Sequence, residues 1–356
     1  MISQRAKCEA CLLHLTEQEQ LGDLMSEKRI AVTLPAGPRI SDTVDRIRWA
    51  EENGIPDAWF SDSGAPDTLT QVAGIAHHTS SIRVGTAVTP VYTRSPSVLA
   101  ASANVIGQLL PERFILGLGS SSQTIMGQFN GIPLEKPLTR VRETAELVKI
   151  MLTGAKTDYD GDTVFSRGYR QAPMDNPPPV YLAALRPKMI EMAAEVGDGV
   201  IFNLWPKAAL PKMMEHVVIG AEAAGKNPAD VEIVNRAMVL CTDDKDYGRN
   251  LFRAAFGPYY ATPVYNNFLA WAGYTDAAAQ IAEGWAAKDR NKTAAAMSDE
   301  MIDEIAIIGN EDEIQQRIQA DADGGIDTHI IAPLAGNRED VDRTFAAFTA
   351  KEFQFS

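Results

Sequence analysis

The sequence predicts a closed (β/α)8 TIM barrel of mixed α/β class. Three observations carry that expectation. Eight short apolar, β-rich runs alternate with helical patterns along the chain. The rhythm persists through eight units, the strand number of such a barrel, whereas a doubly wound open sheet seldom sustains it without a second domain. One run ends in Gly119 followed by Ser120, Ser121 and Ser122, a strand-end loop of the kind on which barrels hold ligands.

In chain order the strands are expected at residues 29–34, 57–61, 82–88, 113–118, 180–184, 199–203, 232–241 and 328–333. Helical patterns fall at 41–53, 67–79, 95–110, 139–153, 187–196, 208–225 and 311–324, several closing at glycine. The helix over 95–110 is the clearest: Val98, Ala101, Val105, Ile106 and Leu109 recur at a helical period, Ser97 stands as its cap, and Pro111 stops it. The Arg113-to-Leu118 run that follows is short, apolar and bounded by turn formers, as a parallel strand covered on both faces should be.

Two stretches break the rhythm. Residues 159–179 are proline-rich, with a hairpin turn at Tyr159-Asp-Gly-Asp162 and an extended lead through Met174-Asp-Asn-Pro-Pro-Pro179. Residues 243–308 are far more chain than one barrel helix needs and read as a mainly helical insertion after the seventh strand, a specificity element or a dimerisation surface. The expected organisation is therefore an N-terminal extension over 1–27 and one barrel over 28–350. Cys8, Cys11 and His14 in the extension have the spacing of half a zinc site with no second pair to complete it, so no metal is expected.

At 45% hydrophobic the 356 residues can bury a large core, and no apolar run is long enough to cross a bilayer. The formal charge of -14 argues against nucleic-acid or anionic-membrane partners, so an anionic ligand needs local cations. Three cysteines and no secretory segment at the start fit a reducing cytoplasm. Five scattered histidines do not make the clusters of a metal hydrolase. His77 and His78 suit a helix end, and His329 suits buried structure.

Four blocks in order, Ile82-Arg-Val-Gly-Thr-Ala-Val-Thr-Pro90, Arg94-Ser-Pro96, Glu112-Arg-Phe-Ile-Leu-Gly-Leu-Gly119 and Pro179-Val-Tyr-Leu-Ala-Ala184 with Gly197-Asp-Gly199, resemble the bacterial luciferase-like family. The likeness is strongest to its flavin/deazaflavin oxidoreductases, notably in Val180-Tyr-Leu-Ala-Ala-Leu-Arg-Pro-Lys-Met189. It implies a luciferase-like barrel that binds a flavin-type cofactor at the carboxyl ends of its strands. It also implies a non-prolyl cis peptide at Ala87 and Val88 behind the ring, Gly119 to Ser122 at the pyrimidine end, and Ala184, Arg186, Asn203 and Lys207 around the tail. Arg186-Pro-Lys188 opening a helix offers both amides and cations to a phosphate.

The chain departs from the sugar-phosphate dehydrogenases of that branch. Ser63 stands where they carry a catalytic His, Ser122 where they have a Glu, and Glu304 where they have an Arg. Asp62, with Ser63 beside it, is then the candidate for proton transfer, and a turn or cap role is its structural alternative. Arg94 is a candidate grip for an anionic substrate or a partner of a neighbouring acid, and Trp205 a candidate pocket wall. The expected function is hydride transfer between the deazaflavin coenzyme F420 and a small organic substrate, in a cytoplasmic homodimer. An FMN-dependent monooxygenase is the alternative within the family, and a flavin- or deazaflavin-binding protein without turnover the alternative outside enzymes.

Overall fold

A computed structural model describes residues 27–34, 39–62 and 66–356. Within them eight parallel strands pair in chain order: β1 (Arg29–Leu34), β2 (Asp57–Phe60), β3 (Arg83–Thr86), β4 (Phe114–Gly119), β5 (Val180–Ala183), β6 (Gly199–Asn203), β7 (Glu232–Cys241) and β8 (Thr328–Pro333). β8 returns to β1 with Thr328 opposite Arg29, so the ring of eight strands closes, and the short segment Ile307–Gly309 adds a parallel pairing to the end of β7. The short segment Thr89–Pro90 adds a second pairing beside β4.

Each strand serves two layers because successive side chains point to opposite faces. Ile30, Val32, Phe60, Leu116, Leu118, Leu182 and Phe202 face outward into the main core beneath the helices. Ala31, Trp59, Ile115, Tyr181, Ile201, Val234 and Ile330 face inward and fill the barrel as a second, separate core. The Trp59 indole reaches across the barrel because Gly85 opposite it has no side chain; a Cβ there would lie 2.4 Å from the ring. Burying side chains of this size stabilises the fold by roughly 1.5–3 kcal/mol each.

The helical layer runs α1 (Ile40–Glu52), α2 (Thr68–Ile75), α3 (Pro96–Leu109), α4 (Pro137–Leu152), α5 (Pro187–Val196) and α6 (Leu210–Ala223). After β7 come α7 (Lys245–Tyr260), α8 (Pro263–Trp271), α9 (Thr275–Ala286), α10 (Arg290–Ala295) and α11 (Asp299–Ile305), before α12 (Glu311–Asp323) leads to β8 and α13 (Arg338–Ala346). Phe252, Tyr260, Leu269, Ile281 and Met301 of this added body share a third core with Leu204, Met238 and Leu240 of the barrel. The hairpin expected near Tyr159 pairs residues Asp158–Asp160 with Phe165–Arg167.

Two local expectations for α3 are corrected. Ser95, not Ser97, caps it, accepting from the Val98 amide at 3.4 Å with Pro96 at the first position. Its buried face is Leu99, Ala100, Ala103 and Ile106, while Val98 and Val105 are 49% and 55% exposed. No described helix is long and apolar enough to cross a membrane.

Candidate active site

The two ends of the barrel are built from different chemistry. At the N-terminal end, Arg83 Nη2 reaches Asp57 Oδ2 at 2.6 Å, Glu232 Oε1 at 2.7 Å and Thr328 Oγ1 at 3.0 Å. Arg29 Nε donates to the other oxygen of Asp57 at 2.8 Å, and Tyr181 donates its hydroxyl to Glu232. Burial alone would raise the Glu232 carboxyl, but Arg83 and its other hydrogen bonds outweigh that and hold it below its usual value. Each charge in this cluster has an opposite partner, which makes it a plug rather than a reactive site.

Toward the C-terminal end, seven of the eight strands carry an inward-facing residue at or just past their upper part: Thr33, Ser61, Ala87, Gly119, Ala183, Asn203 and Arg236. The Ala87–Val88 peptide is cis, as the resemblance implied. A Cβ on Gly119 would fall 2.6 Å from Val88 Cγ2 and 3.2 Å from Ala183 Cβ. Only glycine therefore lets this strand end, the cis corner and Ala183 meet as one floor of small side chains, a surface on which a flat ring can rest. Beyond Gly119 the backbone turns through Ser121 at φ 62°, and Ser122 Oγ accepts from the Ile125 amide at 3.3 Å. Ser120, Ser121 and Ser122 are all partly exposed at this rim.

Polar groups here lack partners, in contrast to the plug. Thr33 Oγ1 and Asn203 Oδ1 are buried with no hydrogen-bond partner among the described residues. Asn203 Nδ2 donates to the Tyr265 hydroxyl of α8 at 3.0 Å. Arg236 Nε donates to Ser61 Oγ at 3.1 Å, and no described carboxylate pairs with its guanidinium. Its burial pushes its pKa down, since little nearby charge compensates. These orphaned groups beside an apolar floor fit a flat, polar-edged cofactor with an anionic substrate.

The luciferase-like monooxygenase model matches residues 19–328 of this chain. The chain belongs to the luciferase-like monooxygenase family. Among its luciferase-like relatives is the 5,10-methylenetetrahydromethanopterin reductase of Methanolobus tindarius, 30% identical over 309 residues that cover 84% of this chain and 94% of that one. Two solved structures share the fold. The coenzyme F420 dependent tetrahydromethanopterin reductase from Methanopyrus kandleri superposes with a TM-score of 0.78 at 21% identity, covering 92% of this chain and 100% of that one. An F420-dependent secondary alcohol dehydrogenase with an F420-acetone adduct gives 0.74 at 16%, covering 92% and 98%.

On this luciferase-like frame the expected site residues separate. Ala87, Val88, Gly119, Ser120, Ser121, Ser122 and Asn203 come together at the mouth. Arg186 is the exposed N-cap residue of α5, followed by Pro187 and Lys188, and its side chain has no ion-pair partner among the described residues. Arg94 is held between Asp62, at 3.2 Å, and Asp67, so it serves neighbouring acids rather than standing open for a substrate. Asp62, Asp67, Arg94 and Met126 line a pocket of about 240 Å³ beside the mouth.

Three residues lie elsewhere. Ala184 and Trp205 are corrected: both are buried in the main core under the helices, Ala184 because strand parity turns it outward and Ala183 inward, Trp205 with its Nε1 donating to Asn235 Oδ1 at 2.9 Å. Lys207 is exposed on the turn before α6, where its charge acts on Asp321 of α12. Ser63 and the Cys8 and Cys11 pair lie outside the described residues. Among the described residues no three His, Cys, Asp or Glu side chains gather as metal ligands. His329 is fully buried against Phe355, which drives its pKa down to about 3. Glu304 accepts from the Ala208 amide at 2.9 Å.

Sequence reading missed Arg236 and Thr33. The signal for Arg236 was its parity: Glu232, Val234, Arg236 and Met238 share one face of β7.

Proposed function

We infer that this protein is a coenzyme F420-dependent oxidoreductase that moves a hydride between the deazaflavin and a small organic substrate. The observation that carries the reading is the floor made by Ala87, Val88, Gly119 and Ala183 at the C-terminal mouth, where a side chain on Gly119 has no room. The bound coenzyme supplies two-electron hydride chemistry, with the carbon in place of the flavin N5 suppressing reaction with oxygen. The relatives described as F420-dependent favour that coenzyme over FMN.

The residues of this chain bind and orient. Val88 and Ala87 would support the ring from behind, on the floor they form with Gly119 and Ala183. The amides and hydroxyls from Ser120 to Ser122 would hold its polar edge. Arg186 and Lys188, at the start of α5, combine helix-end amides with positive charge for a phosphate-bearing tail. Asp62, aligned by Arg94, handles the substrate proton together with Ser63.

The reading includes a cytoplasmic homodimer. α3 contains no charged residue and exposes Val98 and Val105, unusual on a chain of net charge -14, so this face suits a second copy. Anaerobic titration of the purified protein with oxidised F420 and with FMN, followed by coenzyme fluorescence, tests the assignment. Micromolar binding of the deazaflavin with FMN ignored is expected. Preference for FMN, with oxygen consumed when the flavin is reduced, overturns it.

A further inference from the structure

Arg236 is an inward-facing guanidinium at the barrel mouth that the coenzyme floor does not use. Burying such a charge without an acid is costly, and the cost is retained where a ligand supplies the missing anion. Its surroundings define what that anion is. The Nε edge is spent on Ser61 Oγ at 3.1 Å, Nη1 lies 3.8 Å from the Met238 sulfur, and no carboxylate among the described residues pairs with the Nη1–Nη2 end. That planar pair of donors matches a planar pair of oxygens.

Asn203 sits beside it, directly opposite Arg236 in the β6–β7 register. Its amide is oriented by Tyr265, which takes the Nδ2 proton and leaves Oδ1 as a buried acceptor with no donor among the described residues. The corner is fixed by the body inserted after β7. Leu204 adopts φ 54°, a conformation non-glycine residues seldom hold, and the buried Tyr260 hydroxyl donates to its carbonyl at 2.9 Å. Tyr260 and Tyr265 thus act through the Asn203–Leu204 corner as positioning residues.

We propose that Arg236 and Asn203 form a substrate subsite for a small carboxylate bearing a hydrogen-bond donor, a hydroxyl or N–H, on the adjoining carbon. The guanidinium takes the two carboxylate oxygens and Asn203 Oδ1 takes the donor. A neutral ligand leaves the guanidinium unpaired, and a plain carboxylate leaves Oδ1 unpaired, so each binds less well. The proposal rests on the mouth being the hydride-transfer site, and it gives the inserted body its role in specificity.

The test measures binding of 2-hydroxybutanoate, 2-hydroxybutanamide and butanoate to the full-length protein, by thermal shift without coenzyme and by fluorescence with F420 bound. The hydroxy acid is expected to bind at least tenfold more tightly than its amide and severalfold more tightly than butanoate. Arg236→Met should erase the acid-over-amide preference and Arg236→Lys keep part of it. Tyr265→Phe should erode only the preference over butanoate. Equal binding of acid and amide by the native protein, or an intact preference in Arg236→Met, overturns the proposal. So does loss of F420 binding in Arg236→Met with no acid preference in the native protein, because Arg236 then serves the coenzyme. Failure of the native protein to bind F420 at all contradicts the proposed function instead, and the coenzyme-free thermal shifts keep the two failures apart.

Discussion

The two mouths of the barrel use the same residue type for opposite ends. Arg83 at the N-terminal mouth and Arg236 at the C-terminal mouth are both inward-facing arginines on barrel strands. Arg83 is surrounded by Asp57, Glu232 and Thr328, and burial is outweighed so thoroughly that its pKa rises. Arg236 meets Ser61 and a methionine sulfur, and its pKa falls. A satisfied charge network holds the strands in place, while an unsatisfied one keeps binding energy available for a ligand.

The contrast breaks first at Arg83. Arg83→Met strands Asp57 and Glu232 against each other, and removing one partner of a buried network costs about 3–5 kcal/mol, read as a lowered urea midpoint. Arg236→Met should change stability by less than about 1 kcal/mol, since it strands no charged partner and only the Ser61 hydroxyl loses a hydrogen bond. If the two variants lose equal stability, the distinction between the mouths fails.

Gly119→Ala sharpens it from the other side. The added methyl meets Val88 at 2.6 Å and must displace it, an overpacking cost of about 1–3 kcal/mol. F420 affinity should fall at least tenfold in a fluorescence titration while the far-ultraviolet circular dichroism stays native.

Acid exposes the structural end next. Glu51 of α1 accepts from the amides of Ser80, Ser81 and Ile82 just before β3. Burial works to raise its carboxyl, yet those amides bring it from an ordinary 4.5 to about 2. Because the folded value is the lower one, its stabilisation is complete above about pH 4.5 and disappears as pH falls toward 2. Glu51→Gln should flatten the decline of the urea midpoint across that window, and an unchanged slope would remove Glu51 from the account.

The smallest effect is expected at the coenzyme tail. Arg186→Ala should weaken F420 binding severalfold, by about 1 kcal/mol or less, and reduce its salt dependence, with thermal stability unchanged because Arg186 is exposed and unpaired among the described residues. Equal affinity and salt slope would place the tail elsewhere.

Most of the barrel was legible because parallel strands buried on both faces leave continuous apolar runs, as in Phe114–Gly119 and Val180–Ala183. The same continuity hid which residues face the mouth. Nothing in Ala183-Ala184 tells the inward alanine from the outward one until Tyr181 fixes the parity. α3 is apolar on two sides, so its period alone could not choose Leu99, Ala103 and Ile106 over Val98 and Val105. Trp205 looked like a pocket wall because its partner Asn235 lies on another strand. Arg236 was visible as a charge in an apolar strand, and only the register with Asn203 gave it a place. The cis corner at Ala87 and Val88 was reached through the family likeness rather than from composition or spacing.

The most direct test is a crystal structure of the protein with oxidised F420. The ring should lie on Ala87, Val88 and Gly119 with its polar edge toward Ser120 to Ser122 and its tail running to the start of α5. Coenzyme density in the groove between α1 and α13, lined by Arg46, Trp49 and Arg338, with the mouth left to solvent, would contradict the account.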